Sequence, residues 1–272
     1  MTTGQTLEPT EIDYHVHSDL SVDAYDSIER MCERAIQIGL KEIVFTEHYD
    51  TDLLDEGYGF YNYRKSHQIV EQTRERFDDR LTIKLGVEVD YQPQYETRIA
   101  DFLGDKTYDY ILGARHWLDG AMVGHDFFDG KTEIEAYTSY FESLLPLVEC
   151  GLFDAVAHID LVKRHGTERY GTFDPDRWMP RIEPVLRKIA EKGIGLEINT
   201  SGVRQAPGEP YPGLAVLTRF CELGATILTL GSDAHRTEQL GVGLQTGVQL
   251  AREAGFTHLA LFDRRIPTLI SI

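Results

Sequence analysis

The residues able to do chemistry in this chain are histidines and carboxylates placed where short apolar or β-branched runs end. His15 and His17 close the run 12–17, His48 follows 42–46, Glu88 lies at the end of 81–89, and His116 follows 110–114. His158 ends 155–158, and Asp233 and His235 follow 226–230. Side chains two positions apart in an extended segment lie on the same side. His-x-His and Asp-x-His therefore each present two ligand groups to one cation. Either pair alone is a weak signal. Their recurrence at successive strand ends, with none in mid-helix, points to a polynuclear metal site. A mixed imidazole and carboxylate shell suits Zn, Mn, Fe or Co without choosing among them.

Such a site requires elements that bring distant strand ends together. The apolar runs, with two more at 195–199 and 259–262, alternate with amphipathic segments at 27–38, 63–76, 133–149, 176–192, 212–223 and 239–254. That alternation predicts parallel strands joined by crossover helices. Gly39, Gly193 and Gly224 stand where helices stop, since glycine takes the left-handed cap conformation cheaply. In a closed α/β barrel the C-terminal ends of all strands meet at one face, where sites are built. Two long irregular stretches, 49–61 and 117–131, are candidate loops over that face. The remaining histidines, His67 in a helical stretch, His125 and His165 in loops and His258 before the last strand, are expected to be surface or locally bonded. His125 is the one to follow.

The chain has 272 residues, of which 42% are hydrophobic and 26% charged, the composition of a globular protein. No Pro, Gly or Ser-rich linker divides it, which predicts a single domain over 1–272 with a flexible extension at 1–10. A net charge of -18 argues against long nucleic acids and anionic membranes, because binding them needs excess Lys and Arg. The start of the chain lacks a basic, then apolar leader, and no run of 18 apolar residues occurs, so a cytoplasmic protein is expected. Cys32, Cys150 and Cys221 are widely spaced and are expected to be buried small hydrophobes rather than a disulfide or zinc framework.

In order along the chain, HVH at His15 and His17, Asp23, TEH at His48, GVEVDY with Glu88, GARH at His116, AHIDL at His158 and GSDAH with Asp233 and His235 resemble the PHP family. This is the polymerase and histidinol phosphatase superfamily of metal-dependent phosphoesterases. The resemblance spans about residues 12 to 265. It implies a distorted (β/α)7, TIM-like barrel with a trinuclear metal site at the C-terminal ends of the strands. The family pattern assigns His15, His17, Glu88 and Asp233 to one divalent ion. Glu88 bridges to a second ion held by His116 and His158, and a third falls to Asp23, with Asp19 close by in the same loop, His48 and His235. Within the family, HIDLVKR, EINTSGVR and the ending HLALFDRRIPTLI resemble histidinol-phosphate phosphatases. This implies hydrolysis of a small phosphorylated metabolite, L-histidinol phosphate, in histidine biosynthesis. Arg204, with Lys163 or Arg164, is implied to grip phosphate through charged, fork-like hydrogen bonds. Arg115 departs from the GSVH pattern of those phosphatases and either reaches the substrate pocket or points outward.

A phosphate monoester repels nucleophiles, and adjacent divalent ions both acidify water and neutralise phosphate oxygens. The expected reaction is in-line attack by hydroxide, with Asp233 or His235 protonating the leaving alkoxide. Alternatives are a phosphodiesterase or exonuclease of the same family acting on small nucleotides, and a non-catalytic metal-binding regulatory barrel. An amidohydrolase would carry a lysine on the fourth strand, and YILGARH has none. Oligomeric state is not encoded in any of these motifs.

Overall fold

The computed structural model describes residues 7–124 and 126–272. Seven strands form one parallel sheet in sequential order: β1 (Ile12–Val16), β2 (Glu42–Phe45), β3 (Thr82–Asp90), β4 (Tyr110–Ala114), β5 (Ala155–Val156), β6 (Gly195–Asn199) and β7 (Leu228–Gly231). A short segment, His48–Tyr49, pairs alongside β3. Every residue of β1, β4 and β6 is buried, the pattern of strands covered on both faces. Helices α1 (Ile28–Ile38), α2 (Tyr63–Phe77), α3 (Glu96–Gly104), α4 (Glu133–Glu149), α5 (Lys163–Tyr170), α6 (Pro175–Lys192), α7 (Leu214–Glu222) and α8 (Leu244–Glu253) make up the rest of the alternation.

Local sequence explains where these helices start and stop. In α1 the buried residues Ile28, Met31, Cys32 and Ala35 recur at helical spacing, Ser27 caps the start and Gly39 ends it at φ 89°. Thr132 and Glu135 form a reciprocal capping box on α4. Gly193 and Gly224 take positive φ at the ends of α6 and α7, as expected.

The sheet is nearly closed into a barrel, and the closure is made by the residues that carry the chemistry. Asp233 N–H donates to the His15 carbonyl at 2.8 Å and His17 N–H to the Ala234 carbonyl at 2.9 Å, with a parallel bridge between Val16 and Ala234. The approach is possible because residue 231 is glycine: a Cβ there would lie 2.3 Å from His15 Cβ and 2.8 Å from His15 N. The distorted seven-stranded α/β barrel implied by the sequence is the observed architecture.

Four features differ from expectation. The run 259–262 is not a barrel strand. It belongs to β8 (His258–Asp263), which pairs antiparallel with β9 (Ile266–Ser271). That hairpin packs at the end of the barrel where strands begin: Arg265 binds Asp154, just before β5, and the Arg264 and Arg265 N–H groups bond Asp109, just before β4. Helices α3 and α5 were not expected, because nine and eight residues show too few turns to establish a period. Of the proposed extension 1–10, residues 1–6 lie outside the described residues, whereas Leu7 packs against the core and Pro9 is buried. Among the described residues no helix is long and apolar enough to cross a membrane. The three cysteines are free, but only Cys32 is fully buried, with Cys150 and Cys221 partly exposed.

Gly231→Ala should lower unfolding free energy by about 1–3 kcal/mol, the usual cost of overpacking, and should reduce bound metal because the clash falls on His15. Urea denaturation with metal analysis checks both effects.

Candidate metal centre

The strand ends deliver their ligands to one small volume. Glu88, 1% exposed, lies at the middle. Its Oε2 is 3.0 Å from His48 Nδ1, 3.2 Å from His15 Nε2 and 3.6 Å from His17 Nε2. Its Oε1 is 2.8 Å from His158 Nε2 and 3.4 Å from His116 Nε2. Asp233 Oδ1 stands 3.4 Å from His17 Nε2 and 3.7 Å from His15 Nε2. On the outer side, Asp23 reaches His235 Nε2 at 3.2 Å and His48 Nε2 at 3.6 Å.

Several imidazole nitrogens face one another, at 3.0 Å for His15 and His17, 3.4 Å for His48 and His235, and 3.5 Å for His116 and His158. Two neutral imidazoles that meet lone pair to lone pair repel unless a cation or proton lies between them. Glu88 Oε2 and His48 Nδ1 are buried without an aligned hydrogen bond. The donor set thus fits divalent cations. Three tight ligand groups are present: His15, His17 and Asp233; His17, His48 and His235; and His48, Glu88 and His116. They overlap at His17 and His48, so donors are shared more closely than three separate shells would require.

Electrostatics keep Glu88, Asp233 and His17 in metal-binding form, whereas the carboxylates around His15 favour its protonated form until a cation displaces the proton. Burial opposes charge on Glu88, but His15, His116 and His48 outweigh it and hold the carboxyl well below the usual carboxylate range. Asp233 is likewise buried, and His15, His17 and His235 hold it well below that range. His17 is pushed well below the usual histidine range by burial and by His48 and His235, which leaves it a neutral imidazole. For His15, burial is overcome by Glu197, Glu88 and Asp233, and its pKa is raised.

A layer of polar groups beneath the ligands fixes their orientation. Glu197 on β6 accepts from His15 Nδ1 at 2.5 Å and from the His158 backbone N–H at 3.0 Å. A carboxylate on the far nitrogen sets the tautomer and ring angle of a metal-binding histidine. Asn199 donates to Glu197 at 3.2 Å and to Asp233 at 3.3 Å. Asp13 accepts from the N–H groups of Ser232 and Gly241, Asp90 from that of His116, and Glu47 from Ser18 and Ser21. Burial pushes Asp13 up to about 6 and Glu47 up to about 7. His158 and Asp233 both have positive φ, 23° and 53°, backbone strain that this surrounding network must hold. Sequence reading passed over Glu197, Asp13, Glu47, Asp90 and Asn199. For Asp13, Glu197 and Asn199 the available signal was a polar residue inside a fully buried parallel strand, whereas Glu47 follows β2 and Asp90 ends β3.

A cavity of about 250 Å³ opens onto the ligands, lined by Asp23, His48, Glu88, His116, His158, Asp233 and His235. Both long loops border it, through Asp50, Asp55 and Glu56 from the first and Met122 and Val123 from the second. All nine sequence-expected metal ligands are therefore brought together. Asp23, not Asp19, stands at His48 and His235, while Asp19 lines a separate surface depression with Lys65 and Arg76. The four expected substrate contacts divide. Arg164 lines the cavity with an exposed side chain. Arg204 donates Nη2 to the carbonyls of Ser232 and Asp233 and leaves Nη1 without a partner.

Arg204, Lys163 and Arg115 are not among the lining residues. Lys163, fully buried, pairs with Asp160 at 2.9 Å and Glu209 at 2.8 Å, and Arg115 donates to the Tyr91 carbonyl at 2.5 Å. Buried cations are ordinarily paired, as Lys163 is by two carboxylates, whereas among the described residues Arg115 is held by a carbonyl alone with Nε unpartnered. His165 lies in α5 rather than a loop, with Nδ1 3.2 Å from Glu168. His67 sits on α2 against Tyr63, His258 begins β8 beside Thr257, and His125 falls outside the described residues.

Comparison with known proteins agrees with this arrangement. Histidinol-phosphatase of Lactococcus lactis is 29% identical over 259 residues, covering 93% of this chain and 94% of that protein. A Deinococcus radiodurans protein named "Probable histidinol-phosphatase" is 30% identical, covering 89% and 93%. The crystal structure of the Lactococcus lactis histidinol phosphate phosphatase, complexed with zinc, L-histidinol and phosphate, superposes with a TM-score of 0.85 at 27% identity, covering 94% of this chain and 98% of that one. The PHP domain model matches residues 13–201, the stretch that runs from β1 into the turn after β6 and carries seven of the nine expected ligands. With its ligands, barrel and motif order in agreement over that stretch, the chain belongs to the PHP domain family.

Proposed function

We propose that the chain is a metal-dependent phosphoric monoester hydrolase that converts L-histidinol phosphate to L-histidinol and phosphate, a cytoplasmic step of histidine biosynthesis. One observation carries the reading: Glu88 and the eight other expected ligand side chains converge at a cavity of about 250 Å³. The likeness to the Lactococcus lactis enzyme supports the choice of substrate. A cavity of this size in an acidic chain suits a small metabolite better than a polynucleotide, which disfavours an exonuclease.

His15, His17, Glu88 and Asp233 would hold one divalent ion, Glu88, His116 and His158 a second, and Asp23, His48 and His235 a third. When bound, such ions supply an acidified water as nucleophile and neutralise phosphate oxygens. The chain's own groups do the rest. Arg164 offers a planar fork to phosphate, and Arg204 acts from behind the site, its Nη2 holding the strained turn at Asp233. Val22, Met122, Val123 and Leu161 exclude water from part of the cavity wall. Asp233 is kept ionised by the surrounding imidazoles, so it serves as a ligand. His235 lines the cavity with Nδ1 3.5 Å from Asp233 Oδ1 and, like Asp233, would serve as a ligand, so neither group is free to protonate the leaving oxygen.

Removal of metal by chelation should abolish phosphate release from L-histidinol phosphate, and Zn or Mn should restore it. Glu88→Gln should lower kcat by more than about 100-fold and reduce metal content. Normal turnover at full metal loading would sink the scheme. The two neighbouring cations on α5 separate substrate binding from stability. Arg164→Met should raise KM about 10- to 100-fold with little change in Tm. Lys163→Met, which strands the buried Asp160 carboxylate, should cost about 3–5 kcal/mol of stability. Steady-state kinetics and thermal melts on the pair distinguish these effects.

A further inference from the structure

The loop 49–61 places three carboxylates, Asp50, Asp55 and Glu56, on the same cavity as the metal ligands. Asp50 differs from its neighbours. It is only 8% exposed, and among the described residues nothing donates a hydrogen bond or forms an ion pair to its carboxylate. The adjacent acids are engaged: Asp52 accepts from Gln92 at 3.0 Å and Leu54 N–H at 2.9 Å, and Asp55 accepts from Gly57 N–H at 2.7 Å and from Trp117 Nε1. Buried carboxylates are ordinarily paired. The loop is also shaped around this group. A Cβ on Gly57 would lie 2.0 Å from Asp50 Oδ2, so only glycine lets the carboxylate take this position.

We propose that Asp50, with Asp55 and Glu56 at the rim, determines specificity by binding a cationic group on the leaving alcohol, the primary ammonium in the case of L-histidinol phosphate. The inference rests on the phosphatase reading and adds to it a selectivity device: phosphate is held by Arg164 and the metal centre, while the alcohol is recognised by charge. A site built to pair a substrate cation rejects an analogue that lacks it, because the carboxylate is then left buried and alone.

The experiment measures kcat/KM for L-histidinol phosphate and its deaminated analogue, and for phosphoethanolamine and ethyl phosphate, with metal content determined for every protein. Turnover of L-histidinol phosphate by the unaltered enzyme tests the phosphatase reading by itself. The preference for the amine in either pair tests Asp50. Asp50→Asn should lower kcat/KM about 10- to 100-fold for the amine substrates, chiefly through KM, and leave the amine-free esters and the bound metal unchanged. Gly57→Ala, which displaces the same carboxylate without removing it, should reproduce the loss of preference. Equal loss on both members of a pair, loss of metal, or no change in preference would overturn the proposal. If L-histidinol phosphate is not a substrate, the phosphoethanolamine and ethyl phosphate pair still decides it.

Discussion

Five imidazoles crowd one buried carboxylate, Glu88, and the molecule is organised around keeping that arrangement possible. Each contact comes from a different part of the chain: His15 and His17 from β1, His48 after β2, His116 after β4 and His158 after β5. Like charges and facing lone pairs would drive such a group apart in water. A divalent charge offsets that repulsion, but only where the ligands cannot swing away to relieve it. The barrel meets this condition by ending parallel strands at one rim and fastening β1 to the segment after β7 through the His15 and His17 backbone itself.

The supporting layer follows from the same requirement. Glu197 ties His15 to the His158 backbone, and Asn199 ties Glu197 to Asp233, so ligands from β1, β5 and β7 share one network through β6. Asp13 holds the turn after β7 by two backbone N–H groups, and Arg204 holds it from the other side by two carbonyls. These groups forgo hydration to hold strained positions at His158 and Asp233, which is where a protein keeps strain that serves a site. The opposite end of the barrel carries the hairpin β8–β9, and no expected ligand lies there.

Charge reads differently at the two scales. The chain as a whole is acidic, and the metal ligands add to that acidity in one place. Divalent ions would reverse the local sign there, while the cavity rim keeps Asp50, Asp55 and Glu56. A cavity with cations at its floor and carboxylates at its rim suits a molecule that carries phosphate at one end and an amine at the other.

The barrel class and the candidate ligands that converge in space were legible along the chain because both rest on local rules. Strand and helix periods are set by backbone geometry, and the order of His, Asp and Glu at strand ends survives as motifs that can be read without knowing distances. Asp23 over Asp19, the roles of the four cations and the place of the last strand were not legible in this way. Lys163 and Arg164 are adjacent, yet one is buried between Asp160 and Glu209 and the other lines the cavity, because a helix turns neighbouring residues about 100° apart. The run 259–262 has the composition of a barrel strand, but the seventh strand already closes onto the first, and the hairpin with β9 supplies its partners. The sequence by itself determined which groups could bind metal and roughly where each element begins. Only the tertiary structure decided which carboxylates and cations face the metals, the wall or the substrate, because burial and pairing depend on neighbours contributed by distant strands.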